Sequence, residues 1–188
     1  MLNPHIIVTI NQKVLGLLAK FPDREFYERQ VARSIGIAYG SANRALNELY
    51  STGAVKRRRE GKMCFYSIDT SNAAVVEFRK LVNLMLLEPL VDELKNVSSR
   101  IVLYGSCAQG TDNSQSDMDL FIVARNKEGV TDAISEFSLP GGFEDINIQY
   151  VIKTTVELLK ARESEQIFLD EVERGIVLWE RAEDEQGF

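Results

Sequence analysis

Arg100 to Val123 reads RIVLYGSCAQGTDNSQSDMDLFIV, and the organisation of the chain turns on this stretch. Ile101-Val102-Leu103-Tyr104 is an apolar run with the length and composition of a buried strand. Gly105-Ser106 breaks it, a short helix is expected from Ser106, and Gly110 follows. After a polar loop, Ser116-Asp117-Met118-Asp119 leads into a second apolar run, Leu120 to Val123. Side chains alternate along a strand, so Asp117 and Asp119 are expected on one face and Met118 and Leu120 on the other. Two neighbouring carboxylates repel unless a cation sits between them. Hard oxygen donors favour Mg2+ or Mn2+, and Mg2+ takes its remaining ligands from water and phosphates. Gly105 lets the backbone come close to an anion, and Ser106 adds a hydroxyl. A phosphate loop beside a metal-binding pair is the equipment of phosphoryl or nucleotidyl transfer from an NTP.

Composition sets the frame. At 45% hydrophobic and 27% charged, the 188 residues read as an ordinary globular chain of one domain or two small ones. The start, MLNPHIIVTI, lacks the basic region and long apolar core of a signal peptide, and no apolar run is long enough for a membrane. Cys64 and Cys107 are few and far apart, which fits a reducing cytoplasm and argues against zinc. Cys107 reads as a small buried thiol, and His5, the only histidine, lies in the N-terminal tail, away from any triad. Charge is uneven: residues 1–70 carry eleven Lys and Arg against six Asp and Glu, residues 71–188 eleven against twenty-two. Such asymmetry points to two modules with different partners.

The front module reads as three helices, Thr9–Ala19 with Asn11 as cap, Arg24–Ser34 and Tyr39–Ser51, followed by VKRRREGKMCFYSI, a hairpin turning at Glu60-Gly61. Its basic residues crowd the tip. The third helix turns Ala42, Ala45, Leu46 and Leu49 inward and Ser41, Asn43, Arg44 and Asn47 outward. From Asn72 an apolar helix capped by Ser71 runs to Glu88, where Pro89 should kink or end it. Asn126–Gly129 reads as a turn before a helix at Val130–Phe137, then Asp145–Ile152 as an alternating strand, two helices, and a last strand at Ile176–Trp179.

The Arg100–Val123 stretch resembles the polymerase β-like nucleotidyltransferase superfamily, most closely its minimal prokaryotic members. The carrying pattern is Gly105-Ser106, ten residues, then Asp117-Met118-Asp119, with Gly110 and Ser116 also matching. The resemblance implies an α/β domain with a mixed sheet over residues 97–188, in which Gly105, Ser106, Gly110 and Ser116 hold nucleotide and Asp117 and Asp119 bind the metal. A third carboxylate is usual on a neighbouring strand. Aligned by alternation, that place falls on Asn147, and Asp145 reaches it only with a shift of one pleat. An amide accepts no proton at neutral pH, so retention of catalysis is left open.

Residues 9–68 likewise resemble winged helix-turn-helix DNA-binding domains of prokaryotic regulators. That resemblance implies base reading by Asn43, Arg44 and Asn47 and phosphate contacts from Arg57, Arg58, Arg59 and Lys62. The expected chain is therefore α+β, with a winged helix-turn-helix at 1–70, a helical connection at 71–96 and a nucleotidyltransferase domain at 97–188. Three functions stay open: a Mg-dependent nucleotidyltransferase coupled to duplex DNA binding, a transcriptional regulator whose second domain senses nucleotide with weak catalysis, and the nucleotidyltransferase-type half of an antitoxin pair. A protein or RNA acceptor and a homodimer remain among the expected partners.

Overall fold

The structure, a computed structural model, describes residues 7, 9–139, 143 and 146–182. The front half begins with α1 (Ile10–Lys20), β1 (Phe26–Tyr27), α2 (Glu28–Ile35) and α3 (Tyr39–Ser51), followed by the hairpin β2 (Val55–Glu60) and β3 (Met63–Ile68). Thr9, not Asn11, caps α1: its hydroxyl accepts from Gln12 N while Gln12 Oε1 accepts from Thr9 N, a reciprocal box that satisfies two helix-end donors. Asn11 instead donates to Glu48 Oε2 of α3 at 2.7 Å. The second helix starts later than expected because Phe26 and Tyr27 pair with Tyr66 and Phe65 across a small antiparallel sheet of order β1-β3-β2.

Helix α4 (Ala73–Leu94) joins the halves. Asn72 caps it, and Ser71 is occupied with Asp69, so the cap expected at Ser71 moves by one residue. Pro89 does not end the helix. It sits exposed inside it, while Leu86, Leu87, Leu90, Val91 and Leu94 are buried on either side. Burial of these chains, at roughly 1.5–3 kcal/mol each, outweighs the roughly 3 kcal/mol cost of one interior proline. The stretch read as a connection is thus a core helix, packed on α1 of the front half and on the elements that follow.

Those elements are β4 (Arg100–Tyr104), α5 (Gly105–Gln109), β5 (Met118–Val123), α6 (Lys127–Glu136), β6 (Ile148–Lys153), α7 (Thr155–Ser164), α8 (Gln166–Glu173) and β7 (Ile176–Glu180). Helix α6 absorbs the turn expected at 126–129, since Asn126 caps it by accepting from Glu128 N and Gly129 N. The sheet has the order β6-β5-β4-β7, with β5 and β6 parallel and the other pairs antiparallel, so it is mixed as expected. Met118, Leu120 and Ile122 enter a core cluster that runs without a break from Val14 of α1 to Phe143. Phe121 and Val123 face the other way, into a smaller cluster with Ala161, Leu169 and Val172 of α7 and α8. Among the described residues no helix is long and apolar enough to cross a membrane.

Candidate functional site

Antiparallel pairing of β4 with β5 sets Tyr104 opposite Asp119, which brings the turn at the end of β4 onto the start of β5. Gly105 adopts φ +69, and a Cβ built there would lie 2.8 Å from Asp119 Oδ2. The left-handed backbone favours glycine there, and a side chain would have to displace the Asp119 carboxylate. Ser106 follows in α5, half-buried. Gly110 closes that helix at φ +70, and its Cβ would meet Val76 O of α4 at 2.6 Å, so this glycine seats α5 on α4. Ser116 spends its hydroxyl inside the loop, accepting from Asn113 N at 2.9 Å. Cys107 is buried, and burial pushes its thiol up to about 12. It stays protonated and donates to Asp117 O at 3.3 Å, a structural thiol as the sequence indicated.

Asp117 and Asp119 are both half-buried, and Met118 between them is fully buried in the opposite direction. The two acids thus share the sheet face covered further along by α7 and α8. Burial raises the Asp119 carboxyl above its ordinary range, and the charges of Asp117 and of Glu171 on α8 add to the rise. Among the described residues no three His, Cys, Asp or Glu side chains form a metal-holding group. The donor set still fits a magnesium ion that keeps waters and shares phosphate oxygens: two hard carboxylates, crowded by like charge, beside a glycine turn.

The residues expected at the third position lie as follows. Asn147 precedes β6, and its carbonyl accepts from Met118 N at 2.9 Å. Asp145 lies outside the described residues. Gln149 is the residue paired across from Asp119, and its Nε2 donates to Asp117 Oδ2. Alternation placed Asn147 and Gln149 on one face but could not give the register, which the parallel partner sets.

Sequence reading also missed a buried polar cluster behind the loop. Asp112, 2% exposed, accepts from Lys20 Nζ of α1 at 3.1 Å and from Asn83 Nδ2 of α4 at 3.1 Å. Arg79 of α4 binds the Asp112 carboxylate at 3.3 Å, donates to the Asp112 carbonyl and reaches Ala19 O of α1 at 3.2 Å. Asn83 donates in addition to Cys107 O of α5. Asp23, in the turn after α1, accepts from Ser114 N and Oγ, and this hydrogen bonding lowers its carboxyl. The front half thereby grips the loop between the glycine turn and the acids. The legible signal was Arg79 and Asn83, polar residues four apart within the apolar stripe of α4.

On the front half, the expected nucleic-acid contacts divide into two groups. Asn47 donates to the carbonyl and Oδ1 of Asn43, and its own Oδ1 accepts from Arg57 at 3.2 Å. Arg57 also lies over the Tyr50 ring at 4.2 Å. Arg58 is held by Glu25 at 2.7 Å and Glu60 at 2.8 Å, which raise its already high pKa. Arg59 donates to Gly61 O at 3.2 Å, and Arg44 and Lys62 are exposed.

Several solved structures are similar in part. A protein described as a nucleotidyltransferase from Sulfolobus solfataricus is 19% identical, the match covering 64% of this chain and 97% of that one at a TM-score of 0.39. The homodimeric winged helix-turn-helix DNA-binding domain Mb0332 from Mycobacterium bovis is 27% identical over 47% of this chain and 74% of that one, with a TM-score of 0.31. NolR from Sinorhizobium fredii is 18% identical over 39% of this chain and 69% of that one, also at 0.31. A family model described as polymerase beta, nucleotidyltransferase matches residues 87–184, more than half of the chain, and the chain belongs to that family.

Proposed function

We propose that the chain transfers a nucleoside monophosphate from an NTP to a hydroxyl acceptor, releasing pyrophosphate, and that its front half is a winged helix that binds duplex DNA. The observation that carries the first part is the approach of the Gly105 turn, in the left-handed backbone conformation that favours glycine, to Asp119. Asp117 and Asp119 would hold Mg2+, which supplies positive charge at the phosphate under attack. Gly105 and Ser106 would offer the outer phosphates a backbone without a side chain and a hydroxyl. Tyr104, whose hydroxyl is raised by burial and by Asp119 and Glu171, stays protonated and adds no negative charge. Isothermal titration with Mg-NTP, paired with a radiolabel-transfer assay, tests the reading. Asp117→Asn with Asp119→Asn should abolish Mg-dependent nucleotide binding, and unchanged binding in the double variant refutes the site.

A second reading, a regulator that senses nucleotide without chemistry, is favoured by one observation. The side chain facing the acids from β6 is the amide of Gln149, which takes no proton from an acceptor hydroxyl. Binding with no transfer and no pyrophosphate release supports that reading.

For the DNA surface, the arrangement favours a division of labour. Arg44, Arg59 and Lys62 supply contacts outward. Arg57, stacked on Tyr50 and bonded to Asn47, fixes the hairpin against α3.

A further inference from the structure

The loop between α5 and β5 has two kinds of footing. At its start the Asp112 carboxylate is buried among Lys20, Arg79 and Asn83. Past that point the loop closes on itself. Gln115 N donates to Asn113 Oδ1 at 2.8 Å, Ser116 N to Asn113 O at 3.1 Å and Asn113 N to Ser116 Oγ at 2.9 Å. Residues 113–116 are thus one small turn held together by its own bonds. Asp23 grips that turn from the front half, 91 positions away, accepting from Ser114 Oγ at 2.5 Å and from Ser114 N at 3.2 Å. An open hollow of about 400 Å³ lies between Pro22 and Asp23, the start of α4 and residues 110–113, so hydrogen bonds rather than packing make this junction. Asp23 itself has a firm base. Phe21, two residues earlier, stacks on Phe143 with ring centroids 6.1 Å apart, and Lys20 before it is buried on Asp112.

We infer that Asp23 is a positioning residue for the nucleotide site: through Ser114 it holds the 113–116 turn, and with it the Ser116 hydroxyl, in the placement that receives an NTP. The inference rests on the nucleotidyl-transfer reading above and adds to it a residue of the front half. Ser116 Oγ accepts from Asn113 N, and a hydroxyl that accepts keeps its proton to donate, so the placement of the turn sets where that donor points. The strand beyond is anchored separately, because Asp117 O accepts from Cys107 Sγ and Met118 N donates to Asn147 O. What Asp23 fixes is therefore the turn and not the acids. A turn released from Asp23 divides its time among other placements, and apparent affinity falls with the fraction of molecules that keep the competent one. The hydrogen bond from the Ser114 side chain is the largest influence lowering the Asp23 carboxyl, so the charged form makes the tie and holds it at neutral pH.

The test is titration calorimetry of the full chain with Mg2+ and a non-hydrolysable ATP analogue, alongside thermal melts. Asp23→Ala is expected to weaken binding about 10-fold, the scale of a hydrogen bond to a charged group. It is expected to melt as wild type does, because Asp23 is exposed. Asp23→Asn, whose Oδ1 still accepts from Ser114, is expected to recover part of the loss. Ser116→Ala is expected to weaken binding as well, and adding Asp23→Ala to it should cost little more, since both act through one hydroxyl. The assignment is overturned if Asp23→Ala binds the analogue as tightly as wild type, if Asp23→Asn binds no better than Asp23→Ala, or if the losses from Asp23→Ala and Ser116→Ala simply add. Absence of analogue binding by wild type would instead overturn the nucleotidyl-transfer reading itself.

Discussion

Gly105 stands at φ +69, its built Cβ falling 2.8 Å from Asp119 Oδ2. In Gly105→Ala the left-handed backbone costs about 1–2 kcal/mol, and the methyl group pushes Asp119 away from the turn. The variant is expected to unfold at lower urea concentration by that amount and to bind Mg-NTP at least ~10-fold more weakly by titration calorimetry. Asp119 carries the opposite balance, because burial first, then Asp117 and Glu171, hold its folded-state pKa above the ordinary 3.8. Folding thus favours its neutral form. That contribution is complete below the unfolded value and is lost as pH rises through the raised one. Asp119→Asn should therefore melt higher than wild type at pH 7, by roughly 2 °C, with the gap closing as pH falls toward 4. A gap that widens in acid would contradict the sign of the shift. Part of this was legible in sequence, since glycine before serine and acids two apart on a strand are local patterns. Gln149 was not, because its approach to Asp117 depends on how far β6 slides along β5.

At the scale of elements, α4 decides more than its sequence promised. Its apolar face is covered within the chain by α1, α5 and α6, and its two polar insertions, Arg79 and Asn83, meet Lys20 and Asp112 in the interior. Removing one member of a buried ion pair leaves charge without compensation, at a cost of about 3–5 kcal/mol. Asp112→Asn, which leaves Lys20 and Arg79 without their shared carboxylate, should lower stability by about that much in urea melts, while an exposed-pair variant such as Lys95→Met, which gives up only Asp92, should fall by less than ~1 kcal/mol. Equal losses would mean that the buried cluster holds nothing together. Pro89 teaches the same lesson from the other side. Local propensity ends the helix there, and the buried leucines on either flank keep it going.

The whole molecule is polarised, with a basic front half and an acidic remainder. On the proposed reading, such a distribution would orient a nucleic acid toward the hairpin and away from the sheet. Arg59→Ala with Lys62→Ala should weaken duplex binding across all sequences and reduce the slope of log affinity against log salt by about 2, one for each phosphate left without its cationic partner. Arg58→Ala, whose guanidinium is already committed to Glu25 and Glu60, should change the slope by much less in the same filter-retention series. A larger change from Arg58 than from the other two would reverse the assignment. The core cluster that runs from Val14 to Phe143 makes the halves one packed body, so events at the loop and at α1 share a physical path through Lys20, Asn83 and Asp112.

Sequence alone determined the local matters: the two strands flanking the glycine turn, the alternation that puts Asp117 and Asp119 on one face, three helices before a basic hairpin, and the family pattern. These follow from side-chain periodicity and backbone permissiveness, which act over a few neighbouring residues. Tertiary structure decided the rest: the slide of β6 that brings Gln149 to the acids, the continuity of α4 through Pro89, and the meeting of Lys20 with Asp112 across 92 positions. Each of these depends on which partner surface is buried, and a chain's own periodicity does not name the surface it will be buried against.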